Sequence, residues 1–381
     1  MELRYTDDQQ AFRAEVRAWM GAHVPREPLR TLECEEGFHQ HVAWEKTLAS
    51  GDWGMVTWPE DYGGRGLDLI RWLIFEEEYY RADAPLRVAQ NGIFLLGPTI
   101  MEYGTAEQKA AHLTPMAKGE TIWAQAWSEP NAGSDMAAIR STAIRDGNDY
   151  VITGQKTWSS RAAFADWCFG LFRTDPESER HRGLSFILVP LDAEGVTVRP
   201  IRQLHGHPGF AEIFFDEVRV PAANRIADES EGWNVAMATA GFERGLMLRS
   251  PARFQAAAKR LVELYRENEA SASPAAHEAV VQAWADAEAY ALNTYSVASK
   301  IMAGGSIGSE ASLNKIFWSE LDRAMHRTAM SLMGAAAELQ PESGENRWLE
   351  GYIFSLSGPI YAGSNEIQRN IVAERLLGLP R

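Results

Sequence analysis

One carboxylate stands out by its surroundings. Glu243 shares a helical face with Met237, Ala240 and Met247, each reached by three- or four-residue steps. An acid on an otherwise apolar face costs free energy unless it is paired or used. Burial there lifts its pKa toward neutrality, the condition for a general base. A surface acid paired with Arg244 or a neighbouring arginine explains the same residue. The basic run Arg244, Arg249, Arg253, Lys259 and Arg260 fits an anionic ligand or a solvated stripe equally well.

Other spacings suggest ligand contacts. Trp127-Ser128 and Trp158-Ser159-Ser160 each set a hydroxyl beside an indole, inside segments of β character. Packing of the indoles and turn positions for the serines account for them too. Ser134 lies in "AGSD", a Gly-bearing loop whose N–H groups can meet an anion or form a plain β-turn. Ser364 can cap the helix that follows, with Glu366 in its first turn.

Several chemistries are excluded. G-x-G-x-x-G, the P-loop pattern and H-E-x-x-H are all missing from the sequence. His205 and His207 read as loop histidines, and no metal site is expected. Gly304 to Gly308 matches G-x-S-x-G, but helical patterns flank it, whereas a nucleophile elbow needs a preceding strand.

The elements that must position these residues fall into three blocks. Residues 1–118 read as helical: Asp7 or Asp8 caps a helix bearing Phe12, Val16, Trp19 and Met20, helical patterns run over 67–82 and 88–104, and Thr105 caps the next. Residues 119–225 hold short segments rich in β-branched and aromatic residues, at 121–127, 139–145, 149–156, 164–174, 183–191 and 211–220. They predict an antiparallel barrel or sandwich. Residues 226–381 return to helical patterns at 232–268, 274–303, 308–337 and 364–377, which suit a four-helix bundle. The fold class is α+β, multi-domain, with segregated layers.

Four stretches occur together in this order: "AQAWSEPNAGSDM" (124–136), "VITGQKTWSS" (151–160), "FFDEVRVP" (214–221) and "YAGSNEIQRNIVAERLLG" (361–378). With the "WPEDYGG" loop (58–64), they closely resemble the acyl-CoA dehydrogenase family of flavoproteins over nearly the whole chain. The resemblance implies FAD, and α,β-desaturation of an acyl-CoA or carrier-bound acyl thioester. It places Trp127, Ser128, Ser134, Trp158, Ser160, Gly334, Gly363, Ser364 and Glu366 at the cofactor. It places Ser134, Arg244 and Tyr361 at the substrate. Many members carry the base directly after the tyrosine matching Tyr361; here that residue is Ala362, which cannot take a proton. Other members carry a Glu just before an Arg on an earlier helix, which matches Glu243-Arg244.

Two motifs of the family depart from its pattern here. The arginine for the flavin pyrophosphate is expected near 270–280, where 269–282 offers only His277. The Gly-rich turn that receives a neighbouring subunit's flavin tail is "SLMGAAAEL" (331–339), with Gly334 alone retained. The resemblance implies a homotetramer or heterotetramer and an electron-transfer flavoprotein as oxidant. Two alternatives stay open: a non-catalytic subunit of a hetero-oligomer, and a related flavoenzyme with altered chemistry.

Composition agrees with a soluble enzyme. The 381 residues are 45% hydrophobic and 23% charged, and 37 basic against 52 acidic residues leave a net charge of −15. That balance argues against nucleic acid as a partner. Cys34 and Cys168 are too few for a disulfide framework. With no apolar leader at the N-terminus and no membrane span, the expected location is cytoplasmic.

Overall fold

The computed structural model describes residues 4–243, 250–339 and 346–380, and of Glu243 only the backbone. The first half of the chain holds helices α1 (Asp7–His23), α2 (Glu35–Ser50), α3 (Leu69–Arg81), α4 (Gly97–Tyr103) and α5 (Ala106–Ala117). Eight strands follow: β1 (Trp123–Ala126), β2 (Thr142–Asp146), β3 (Asp149–Ser160), β4 (Trp167–Arg173), β5 (Leu184–Pro190), β6 (Val196–Ile201), β7 (Phe210–Pro221) and β8 (Arg225–Ile226). The remainder is helical: α6 (Gly232–Glu243), α7 (Pro251–Glu267), α8 (Pro274–Met302), α9 (Ala311–Met333), α10 (Arg347–Ser355) and α11 (Asn365–Ile371).

Local chemistry sets the helix ends. Thr6, not Asp7 or Asp8, caps α1, because Thr6 and Gln9 satisfy each other's backbone N–H in a capping box. The two aspartates sit in the first turn instead. Thr105 caps α5 as expected, again with a glutamine three residues on. The helix expected at 232–268 is two, since Ser250 caps a new helix with Pro251 at its first position. The helix expected at 88–104 opens as a π-helical turn, Asn91–Leu96, before α4. A Cβ on Gly97 would lie 2.2 Å from the Trp58 ring, so glycine there lets the 58–64 loop pack directly on this helix.

By contacts the chain divides into two compact units. One comprises Met1–Val24, Leu67–Ala84 and Arg244–Arg381. In it α7, α8 and α9 pack on one another, α10 and α11 join α9, and α3 lies against α7 and α8. Phe254, Leu261, Tyr290, Trp318 and Met325 form its buried centre.

The other unit comprises Pro25–Gly66 and Pro85–Glu243. Its strands form one sheet in the order β6-β7-β3-β2-β4-β5-β8, with β1 beside β4. Most neighbours are antiparallel, as expected. β1 runs parallel to β4, because the whole β2–β3 hairpin intervenes between them. β2 adds one parallel pair to β4. Tyr150, Ile152, Phe172, Ile187, Ile213 and Val218 fill the centre of this sheet.

At the β1–β4 edge His112 meets Trp123 and Trp167 edge-on, at 5.4 and 5.6 Å between ring centres. Burial holds its imidazole below the ordinary value, and burial does the same to His41. The unfolded chain takes up these protons near pH ~6.5, while the fold resists them. Stability from these groups is therefore full above about pH 6.5 and declines as pH falls toward their folded values. We expect the thermal midpoint to drop by a few degrees between about pH 7 and pH 5. His112→Phe should flatten that slope in a pH series of melting curves, and an unchanged slope would remove His112 from the cause.

Candidate active site

Three of the expected site residues come together at one irregularity in β3. The β3–β7 register slips between Lys156 and Ser159. The extra residues form a bulge, a device that re-aims a side chain. Trp158 lies in it with a left-handed φ of 58°, and its side chain is 60% exposed. The Phe210 ring meets it nearly at right angles, at 6.1 Å between centres. Thr157 N–H donates to the Ser128 carbonyl at 2.9 Å, which binds the end of β1 to the bulge. Ser128 and Ser160 are half-buried beside it, and the Ser159 hydroxyl is buried without a hydrogen-bond partner.

Trp127 takes the other course. It is buried edge-on against Phe169 and Phe186, with its indole N–H buried and without a hydrogen-bond partner. Ser134 is exposed in the loop after β1, next to Asp135, which accepts both guanidinium nitrogens of Arg180 at 3.1 and 2.6 Å.

A buried ion pair, not singled out from the sequence, fixes this arrangement. Lys156 is fully buried and donates to Glu129 at 2.8 Å, the Leu171 carbonyl at 2.7 Å and the Trp127 carbonyl at 3.4 Å. Glu129 also accepts the backbone N–H groups of Arg140 and Ser141, at 2.7 and 2.9 Å. Burial alone would raise the Glu129 carboxyl, but the Lys156 ammonium and the two N–H groups outweigh it and hold it below the usual range. Burial lowers the Lys156 ammonium, against the pull of Glu129. Nearby Cys168 is buried and its thiol is pushed up to about 12, so it is inert; Cys34 caps α2.

Glu243 is the last residue of α6, on a helix whose buried residues are Val235, Ala236, Thr239 and Ala240. Met237 is 39% exposed, so the apolar face differs from the one expected. Position 243 follows Thr239 and Ala240 by four and three residues, the spacing of their face. The Thr239 and Thr99 hydroxyls meet at 2.8 Å, which joins α6 to α4. The Glu243 side chain lies outside the described residues, and so do Arg244 and Arg249.

The remaining expected residues belong to the helical unit. Tyr361 packs between Trp318 and Phe354. Ala362 and Gly363 both have left-handed φ, 57° and 76°, and make a tight turn. Ser364 then caps α11 by accepting from Ile367 N–H at 3.4 Å, and Glu366 is exposed in the first turn. The turn is held from below. Gln368 donates to the Ala362 carbonyl at 3.1 Å, and buried Asn365 takes Lys315 Nζ at 2.8 Å. Gly334 ends α9, exposed, with φ 54°. His277, the one candidate at 269–282, pairs with the Tyr265 hydroxyl at 3.1 Å.

Two other suggestive motifs lie elsewhere in the fold. Gly304 to Gly308 joins α8 to α9, so no strand precedes Ser306. His205 lies 2.8 Å from Glu33, and among the described residues no group of ligands could hold a metal ion. No helix of the described residues is long and apolar enough to cross a membrane.

Known proteins match the chain from end to end. Family models described as acyl-CoA dehydrogenase N-terminal, middle and C-terminal domains match residues 6–120, 124–218 and 230–377. The chain belongs to the acyl-CoA dehydrogenase family. That family implies flavin-dependent dehydrogenation of acyl-CoA and an oxidoreductase acting on CH–CH bonds. The chain is 42% identical to acyl-CoA dehydrogenase IpdE1 of Mycolicibacterium smegmatis, with 98% of each covered. Among solved structures it is similar to the Tcur3481-Tcur3483 steroid ACAD, at 29% identity, TM-score 0.88 and full coverage of both chains. It is also similar to the ChsE4-ChsE5 complex of Mycobacterium tuberculosis, at 32% identity, TM-score 0.84 and full coverage of both. Each of these two structures is named for two chains.

The residues at the bulge fit the flavin ring of this family. An exposed indole offers a face, and the serine hydroxyls offer polar contacts to a ring edge.

Removing one member of the Lys156–Glu129 pair leaves a buried, uncompensated charge, at a cost of about 3–5 kcal/mol. We expect Lys156→Met to lose that much stability in urea unfolding. Adding Glu129→Leu should recover part of it, because the double variant removes both charges. A double variant whose loss equals the sum of the two single-variant losses would mean that the two residues act independently.

Proposed function

We propose that this chain is the base-bearing subunit of an FAD-dependent acyl-CoA dehydrogenase, with Glu243 as the base. The observation that carries the reading is the meeting of Ser128, Trp158 and Ser160 at the β3 bulge. Bound there, the flavin supplies a two-electron acceptor for the hydride leaving the β-carbon. Trp158 would cover a ring face, and Ser128 and Ser160 would orient its edge. Ser134, Gly334, Gly363, Ser364 and Glu366 would reach the remainder of the cofactor. Arg244, Tyr361 and Ser134 would position the acyl-CoA or carrier-bound thioester.

The protein's chemical task is then to remove the α-proton. That proton is weakly acidic, so the base must be close and desolvated, and the thioester oxygen must be polarised by hydrogen bonds. Glu243 would take the proton on its carboxylate, since Ala362 cannot. Excluding water keeps that carboxylate basic.

A second chain completes this reading. Residues 269–282 bring no arginine, and 331–339 keep Gly334 as their only glycine, so the flavin's anionic tail lacks its cation from this sequence. The two-chain names of the similar structures support a heterotetramer whose partner supplies it. The similarity to a steroid ACAD supports a bulky, ring-bearing acyl group. An electron-transfer flavoprotein would reoxidise the flavin.

Glu243→Gln tests the base directly. We expect the flavin to stay bound while substrate-dependent bleaching at its visible band slows by about 10²–10⁴-fold. Bleaching at the parental rate would place the base elsewhere. A chain that stays colourless with FAD, alone and with any partner, would favour the non-catalytic subunit.

A further inference from the structure

Asn91 opens the π-helical turn Asn91–Leu96, whose six residues are all buried. Such a turn departs from the α-helical ladder and is found mostly at functional sites. Asn91 brings the turn its only polar side chain, since glycine, isoleucine, phenylalanine and two leucines make up the rest. Its Nδ2 is buried and meets no acceptor among the described residues. A buried amide N–H left unmet costs free energy, and native structures keep few of them. A leucine at this position would fill about the same space without that cost. Packing therefore gives no reason for an amide here, and a ligand does.

The surroundings of the turn connect it to the chemistry. A Cβ on Gly92, the next residue, would lie 3.1 Å from the Trp123 ring and 2.9 Å from the Met116 side chain, so the turn rests directly on β1 and α5. The chain runs on from β1 to Ser128, whose carbonyl is tied to the bulge by Thr157 N–H. The turn also packs on α6. The Thr99–Thr239 contact fixes α4, which continues the turn, to the same helix. α6 ends at Glu243. One buried turn thus touches both the strand that leads to Ser128 and the helix that carries Glu243.

We propose that Asn91 determines specificity by donating a hydrogen bond to an uncharged oxygen, a carbonyl or a hydroxyl, on the acyl group beyond its β-carbon. This rests on the reading that the flavin ring lies at Ser128 and Ser160 and that Glu243 is the base. An acyl group held between those two runs past the turn that touches both. The donor is neutral and buried. A neutral acceptor gains a bond there at modest desolvation cost, whereas a carboxylate would shed far more hydration than one amide returns. The substrate class is an oxo- or hydroxyacyl thioester, distinct from a plain alkanoyl chain and from a dicarboxylic one.

The test measures kcat/KM of the flavin-loaded holoenzyme, with its partner chain where flavin binding needs one, using an artificial electron acceptor. The panel is hexanoyl-CoA and octanoyl-CoA, their 5-oxohexanoyl and 7-oxooctanoyl counterparts, and suberyl-CoA. We expect the parent protein to favour an oxo member over the alkanoyl thioester of equal length by about fivefold or more, and to use suberyl-CoA less well than that member. Asn91→Leu should cut the preference by about fivefold to a hundredfold, the range of leaving a buried acceptor unmet. Its thermal midpoint should stay at or above the parental one, because it removes an unmet polar group. Asn91→Ala should lose the preference likewise, and it serves where the larger side chain does not fold. A parent without the preference, or one that favours suberyl-CoA above both oxo members, overturns the proposal while the dehydrogenase reading stands. So does a variant that keeps the preference; with a lowered midpoint, that result makes the amide a structural group bonded to an internal water. Failure of every thioester to bleach bound flavin overturns the dehydrogenase reading and this proposal with it.

Discussion

The contact between Lys156 and Glu129 holds together the segments that would do the chemistry. An ammonium stripped of water is affordable only if each of its three N–H groups finds an acceptor. Here the three acceptors come from three places in the chain: the Glu129 carboxylate, the Leu171 carbonyl in β4, and the Trp127 carbonyl at the end of β1. Glu129 passes the constraint on, through the N–H groups of Arg140 and Ser141, to the entry of β2. Desolvation thus acts as a positional demand. None of these four segments can shift without leaving a charge or a buried backbone group unmet. Ser128 and the bulge at Trp158 are neighbours in sequence to the residues so fixed.

A rigid frame of this kind lets strain be held locally. Trp158 and Arg161 both occupy left-handed φ, three residues apart, at a cost of about 1–3 kcal/mol each. A regular strand would send their side chains into the fixed alternation of the sheet. The bulge and the turn instead point an indole outward and a guanidinium toward Gln90. The surrounding β3–β7 ladder, which shifts register a second time between Ile152 and Gly154, offsets the expense with its remaining pairs.

The sequence was most legible where a single stretch decides the outcome. The Thr105 cap, the hairpin at 145–154 and the helix at 274–303 follow from local rules, and the structure has them. Reading failed where choices compete. Asp7 and Asp8 are good caps, but Thr6 with Gln9 satisfies two backbone groups at once. The strand β6 went unread because Pro200 breaks its short alternation, α2 because its periodic stripe is weak, and α10 because it is only nine residues long. The motifs brought out Ser128, Trp158 and Ser160. They could not distinguish Trp127, which packs inward, from Trp158, which faces outward, because a one-residue slip in register reverses the face. Lys156 and Glu129 escaped for a related reason. They lie 27 residues apart, and a lone charge in a strand reads as solvent-facing until its partner is known.

The division of labour along the chain follows from charge. A flavin ring is neutral and planar, and aromatic and hydroxyl side chains suffice to hold it. Its pyrophosphate tail is anionic and needs cations or a row of N–H groups. This protein carries a net charge of −15, so an anionic ligand meets an unfavourable background unless cations are placed locally. Arginines are not scarce at the helical unit, but several are engaged: Arg347 is paired with Asp83 at 2.7 Å, Arg260 with the same carboxylate at 3.6 Å, and Arg253 with Asp322 at 3.6 Å. The stretch where a tail-binding arginine belongs holds only His277, already bonded to Tyr265. On the proposed reading, a chain with ring-facing residues and a base but no cation for the tail would share its site with a second chain. On that reading, the missing cation would weaken the hold on free cofactor more than it would impair the chemistry, and activity would depend on the chain that restores it.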